Sequence, residues 1–411
     1  MQLQNWAGNI TFTPDRLHTP RRVDELQHLV ASTDRIRALG TGHSFNRIAD
    51  TVGALVSLRD LGANIEIDAT ANTVTVPAGA RYGEVGSVLQ RQGLALHNLG
   101  SLPHISVAGA CATGTHGSGV GNRCLAAAAV GIEFVRADGE LVQVRPADPA
   151  YAGSVVALGA LGIVTRITLA VEPTFDVRQD VFLDAPLDTV LDDLDAVLAS
   201  GYSVSLFTDW SRPDVIDKIW VKSRDGEAPD GRRWGARPAD VAQHPIAGED
   251  PAAATEQFGR PGPWNARLPH FRLEFTPSSG EEQQSEYLVA HEHGADAIRA
   301  VHELDLAGVA QVAEFRTIAA DGLWLSPFHE RASVGLHFTW IDDDAAVHAA
   351  VSAVEQALTP FDPRPHWGKV FLAAPSAVRA HYSRLADFQS LAATHDPDRK
   401  FGNDFLERFV Y

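Results

Sequence analysis

From residue 36 to residue 171 the apolar positions come in short alternating runs, mostly bounded by glycine, and predict short β-strands with few long helices. Ile65 and Ile67 alternate with polar neighbours, as do Val74 and Val76 after Ala71-Asn72, which predicts an antiparallel hairpin. Residues 82–92 have helical spacing, with Val85, Val88 and Leu89 on one side. Residues 132–135 and 141–144 flank Asp138-Gly139, a strong hairpin-turn dipeptide. A β-branched run over 163–171 predicts a strand, closed by Glu172-Pro173.

After Pro173 the elements lengthen. The spacing predicts a helical segment over 187–198, a strand over 202–210, strands over 309–318 and 333–341, and a helix over 345–358. Residues 223–265 are rich in Pro and Gly and show no period, although Trp234, Phe258 and Trp264 argue against disorder. So long an irregular stretch is expected to be a functional loop or lid. The end of the chain, 366–411, predicts one short strand, a helix over 377–391 and an aromatic-rich tail. There is no internal repeat and no low-complexity tract.

A length of 411 residues suggests two or three domains at roughly 150 residues each. The 34 basic and 52 acidic residues give a net charge of −18, which disfavours nucleic acid and anionic membrane surfaces as partners. Two cysteines, Cys111 and Cys124, exclude a disulfide framework and fit a reducing compartment. The start of the chain has no basic region followed by an apolar run, and no later stretch is long enough to span a bilayer, so a cytoplasmic location is expected. Only four of the 34 basic residues are lysines (Lys218, Lys222, Lys369 and Lys400), which makes each of them informative.

Four clusters carry candidate chemistry. Gly40-Thr41-Gly42-His43-Ser44-Phe45-Asn46 follows a strand-like run, and its glycines and hydroxyls suit an anion cradle, against the simpler possibility of a glycine turn with an incidental histidine. It is neither a dinucleotide fingerprint nor a P-loop. Residues 101–119 are small at almost every position after Ile105, which allows close approach of a flat cofactor or, alternatively, a tightly packed hinge. Strand period two puts Glu314 with Arg316 on one face, and His337 with Thr339 on one face. They line a polar pocket wall if the strands are neighbours, and otherwise form a solvated face with an ion pair. His366-Trp367-Gly368-Lys369 sets a scarce lysine among apolar residues, where an unpaired cation is costly. No metal-ligand spacing appears, His291-Glu292-His293 reads as an exposed helix start, and both cysteines read as buried fillers.

Together these clusters resemble the vanillyl-alcohol-oxidase-type flavoproteins and, within them, the alditol (xylitol, sorbitol) oxidases. Gly42-His43-Ser44-Phe45-Asn46 and residues 101–119 mark the superfamily. Glu314-Phe315-Arg316, His337-Phe338-Thr339-Trp340 and His366-Trp367-Gly368-Lys369 narrow it to polyol and sugar-lactone oxidases. The similarity runs from Asn5-Trp6-Ala7-Gly8-Asn9 to Lys400-Phe401-Gly402-Asn403. It implies an α+β, two-domain flavoprotein: a PCMH-type FAD-binding domain over 1–172, a sheet-plus-helices substrate domain over 173–368, and a segment 369–411 returning to the first domain. It further implies FAD bound covalently through His43, with contacts from Ala38, Leu39, Gly40, Thr41, Gly42, Ser44, Ser101, Ser106, Gly109, Thr113, Gly114, Thr115, His116 and Val164. The implied polyol site comprises Ser101, Glu314, Arg316, His337, Thr339 and Lys369. Arg316 and Lys369 would stabilise an alkoxide, and His337 would be hydrogen-bond partner or proton acceptor. Gly100 would lie on the path of oxygen. The implied reaction oxidises a primary hydroxyl of an alditol to the aldose and reduces oxygen to peroxide, with no metal, in a monomer. A sugar-lactone oxidase or dehydrogenase of the same superfamily is the nearest alternative.

Overall fold

Both hairpins expected in the first half of the chain form, and they share one antiparallel sheet. Glu66–Asp68 pairs with Thr73–Pro77, Ala129–Val135 pairs with Leu141–Val144, and Ile163–Ala170 lies between the two hairpins. Gly139, with φ +87°, makes the turn that Asp138-Gly139 announced. In this computed structural model, residues 3–62, 64–224, 229–275 and 281–411 are described. A small parallel sheet precedes the first, with Arg16–His18 and Ile36–Leu39 on either side of Ala54–Ser57. The helix Tyr82–Arg91 buries Val85 and Leu89, as their spacing requires.

The larger sheet is antiparallel throughout. Its central strands run in the spatial order Asp176–Pro186, Val215–Arg224, Ser203–Thr208, Ala310–Ile318, Ser333–Trp340 and Gln283–Ala290. One face is apolar: Ala313, Phe315, Leu336, Phe338 and Trp340 are buried with Val351 and Val354 of the helix Asp344–Leu358. Ile298 and Val301 of the helix Gly294–His302 join the same core. The other face carries the polar residues of the same strands and is covered by the rest of the protein. Period two therefore sorts these strands into a packing face and a chemical face.

The chain end returns to its beginning. The Ile36 amide donates to the Lys400 carbonyl at 3.0 Å, and the Phe45 amide to the Gly368 carbonyl at 2.8 Å. Asn46 Nδ2 donates to the carbonyls of Trp367 and Lys369, both at 2.8 Å. Val378, Phe388, Leu406 and Phe409 complete a core that begins with residues of the first half.

Several elements depart from expectation. The segment 187–198 is two helices, Leu187–Asp192 and Leu194–Leu198, broken at Asp193. The short strand expected within 366–411 does not form; at its start the Gly368 amide donates to His366 Nδ1 at 3.0 Å and the Lys369 amide to the His366 carbonyl at 3.1 Å, closing a turn. The single helix expected over 377–391 is instead two, Pro375–Ala380 and Leu385–His395, and the tail adds Asp404–Phe409. Three strands of the large sheet, Asp176–Pro186, Val215–Arg224 and Gln283–Ala290, have no counterpart in the expected elements. Part of the irregular stretch, 225–228, lies outside the described residues; beyond it Trp234 and Trp264 are buried, whereas Phe258 is exposed. Both cysteines are unpaired and buried, and burial raises both thiols.

Candidate active site

Register brings the chemical face into rows. Glu314 sits opposite His337, which sits opposite Glu286 on the next strand, so three titratable side chains lie abreast. One step along, Val312, Thr339 and Gln284 form the neighbouring row. Two carboxylates so close can remain charged only if cations share the floor, and Arg316 supplies one. Its Nη2 donates to Glu286 at 2.9 Å, its Nη1 donates to Ser101 Oγ at 3.2 Å, and Glu314 lies 3.6 Å away. Burial opposes the charge on Glu286, yet His116 and Arg316 hold it well below the usual carboxylate range. Burial likewise opposes the charge on Glu314, and Arg316 and His270 hold that carboxyl low. His270 Nε2 lies 2.7 Å from Glu314 Oε1.

Lys369 approaches from the turn after the sheet. Its Nζ donates to Gln284 Oε1 and lies 4.8 Å from the centre of the Phe45 ring. Burial pushes its ammonium down to about 8. His337 Nε2 is 3.2 Å from the same Gln284 oxygen, and burial, then the Lys369 charge, lowers its imidazole to about 3. The ring is therefore neutral, and because Gln284 Oε1 can only accept, Nε2 carries its hydrogen and Nδ1 is left bare. His116, Glu286 and His366 also offer ligand atoms within 4.8 Å of one another, but the Arg316 guanidinium already neutralises the carboxylate a cation would need.

These side chains face a cavity of about 750 Å³ that continues to the glycine-rich turn of the first half. Ala38, Leu39, Gly40, Thr41, Gly42, His43 and Ser44 line it, with Gly100, Ser101, Ser106, Gly109, Thr113, Thr115, His116 and Val164. Glu314, Arg316, His337, Thr339 and Lys369 form its far wall. Gly114 is not on that wall; at φ +69° it makes a turn, and a Cβ there would lie 2.8 Å from Pro327. A Cβ at Gly40 would lie 2.5 Å from Ser106 Oγ, and one at Gly109 would lie 2.9 Å from it, so small residues keep these backbones close. Among the described residues the amides of Thr41, Gly42, His43 and Ser44 have no acceptor, which leaves a row of donors facing the cavity. This cradle and the long chamber fit FAD. His43 stacks on Trp6 with ring centres 5.1 Å apart, and Thr41 Oγ1 is 2.9 Å from its Nδ1. Burial, then Lys369, lowers His43 to about 4, so its ring is neutral.

Four wall residues escaped the sequence reading as site residues: His270, Gln284, Glu286 and His366. Gln284 and Glu286 share a face by the same alternation that singled out Glu314 and Arg316, and that signal was available once 283–290 is read as a strand. His270 sits in irregular backbone, where no period points to it. The irregular stretch itself reaches the cavity through His244, Ile246, Glu249 and Asp250, the position of a lid.

Comparison with known proteins narrows the possibilities. An FAD-binding domain family matches residues 14–145, and the D-arabinono-1,4-lactone oxidase family matches residues 281–409. An alditol oxidase from Streptomyces sp. is 52% identical, over 98% of this chain and 97% of its own. The chain belongs to the alditol oxidase family. A more distant relative of this family member, the L-gulono-1,4-lactone dehydrogenase of Mycobacterium tuberculosis, is 28% identical over 99% of the chain and 98% of its own. Among solved structures, cholesterol oxidase from B. sterolicum superposes with a TM-score of 0.78 at 16% identity, covering 100% of this chain and 96% of that one. That likeness shows the two-domain α+β fold, and the FAD-binding family match makes it a flavoprotein fold.

Proposed function

We propose that the protein is an FAD-dependent alditol oxidase, converting a terminal CH₂OH of xylitol or sorbitol to the aldehyde and passing the two electrons on to oxygen, which leaves as hydrogen peroxide. The observation that carries this reading is the far wall of the cavity. It sets two cations, Arg316 and Lys369, beside a neutral histidine, with a carboxylate and a hydroxyl, Glu314 and Ser101, within reach of further hydroxyls. The flavin, when bound, supplies the acceptor for a hydride. Residues 38–44, Ser106, Gly109, Thr113, Thr115, His116 and Val164 hold it, and the neutral ring of His43 has the free lone pair that covalent attachment requires. Arg316 and Lys369 stabilise negative charge on the reacting oxygen as its proton leaves, and His337 serves as hydrogen-bond partner or acceptor of that proton. Glu314, Ser101 and Thr339 bind hydroxyls farther along, so selectivity falls on chains with several adjacent OH groups. The proposed enzyme acts as a monomer, and two free buried thiols fit a cytoplasmic setting.

The lactone-oxidase match over residues 281–409 favours the second reading, oxidation of a sugar lactone. A peroxidase-coupled assay separates the two. Xylitol and sorbitol should each yield one peroxide per aldose with kcat/KM well above that for L-gulono-1,4-lactone; preference for the lactone would reverse the assignment.

A further inference from the structure

A second buried lysine stands behind the wall. Lys222, on the strand Val215–Arg224, is 1% exposed and takes no part in lining the cavity. Its Nζ donates to the carbonyls of Leu268 at 2.5 Å and Pro269 at 2.9 Å, and lies 3.2 Å from His270 Nδ1. Burial lowers Lys222 to about 7, with the Glu314 charge opposing, and in its charged form three protons meet three acceptors. The tautomer of His270 follows. Nδ1 receives the lysine proton and is bare, so Nε2 carries the hydrogen and donates to Glu314 Oε1 at 2.7 Å. Burial lowers His270 to about 4, which agrees with a neutral ring.

The backbone of this segment is tied to the same site. The amides of His270 and Phe271 donate to the Ser101 carbonyl at 3.0 and 3.2 Å, and the Thr255 amide donates to the His270 carbonyl at 2.8 Å. The segment 268–271 therefore holds both hydroxyl-binding groups, Ser101 through its backbone and Glu314 through an imidazole. One oxygen of Glu314 is spent on His270, and the other is left toward Arg316 and the cavity.

From this geometry we infer that Lys222 and His270 are positioning residues for polyol recognition, fixing Glu314 as an oriented acceptor for substrate hydroxyls remote from the reacting carbon. The inference rests on the proposed alditol oxidation. It predicts that loss of the pair weakens binding of long polyols and spares the chemical step.

The test uses the flavin-loaded full-length protein and two substrates, xylitol and the short diol 1,2-propanediol. Lys222→Met, nearly isosteric and apolar, and His270→Leu should each raise KM for xylitol by about tenfold or more, the loss expected for a hydrogen bond to a charged group, while kcat changes by less than about twofold. KM for the diol should change by less than about twofold. His270→Gln, which can still donate to Glu314 and accept from Lys222, should recover most of the loss. Each variant is scored if it retains the flavin absorbance of the parent. Should His270→Leu lose it, Lys222→Met and His270→Gln decide. Equal losses for xylitol and the diol, or an unchanged xylitol KM in Lys222→Met, would overturn the inference. A parent enzyme that oxidises neither substrate would instead overturn the functional reading.

Discussion

Lys369 is the residue whose environment bears most directly on rate. In the proposed reaction an ammonium buried against Phe45 and Gln284 would gain more from a full negative charge on the reacting oxygen than from a neutral alcohol, which would place its contribution in the transition state. Lys369→Met should slow anaerobic flavin reduction at least roughly tenfold, about 1.4 kcal/mol, and an effect confined to KM would remove this role. Because burial brings Lys369 to about 8, its charge is present below that pH and lost above it. The parent reduction rate should fall as pH rises past 8, whereas the Lys369→Met profile should be flat there. His43 gives a second residue-scale test. After acid precipitation the parent should keep its yellow colour, and His43→Ala should release it; release from both would exclude the covalent link.

At the scale of elements, Gly100 separates two explanations of a glycine. Its φ is not positive, and a Cβ there would meet His116 O at 3.5 Å and Ile105 and Leu125 carbons at 3.8 and 3.9 Å, ordinary contact distances. Backbone conformation therefore does not demand glycine, and alanine would fit. Valine adds two methyl groups at a position that lines the cavity. Gly100→Val should slow reoxidation of reduced flavin by oxygen and leave reduction by xylitol nearly intact; equal losses in both half-reactions would assign Gly100 to structure alone. The same local view explains what the sequence disclosed. Hairpins with Asn or Gly turns, and strands with one apolar and one polar face, were legible because each carries its own period. Gln283–Ala290 was not, since its polar residues face an enclosed site and its first half has no apolar alternation. The turn at 366–369 was hidden for another reason: it is closed by a histidine side chain, and Val370 and Phe371 after it imitate a strand.

For the whole molecule, the decisive arrangement joins segments far apart in sequence. The glycine cradle at 40–44 meets 366–369 through Asn46 and Phe45, and the polar floor assembles from three strands. Glu314 and Arg316 could be placed on one face by period alone, yet their shared burial with Glu286 depends on strand order, which no local pattern encodes. All four lysines are engaged: Lys218 with the Pro245 carbonyl, Lys222 with His270, Lys369 with Gln284, and Lys400 with the carbonyls of Val30 and Ala137. Their scarcity in an arginine-rich chain was a usable signal, whereas the partners of Lys222 required the fold. In the proposed reaction this assembled wall recognises open-chain polyols. Its most direct test is anaerobic rapid mixing of the flavin-loaded protein with xylitol, followed at the flavin absorbance band. Xylitol should bleach the flavin completely at a rate that saturates with concentration, and L-gulono-1,4-lactone should do so far more slowly. Full bleaching by the lactone with none by xylitol would contradict polyol recognition.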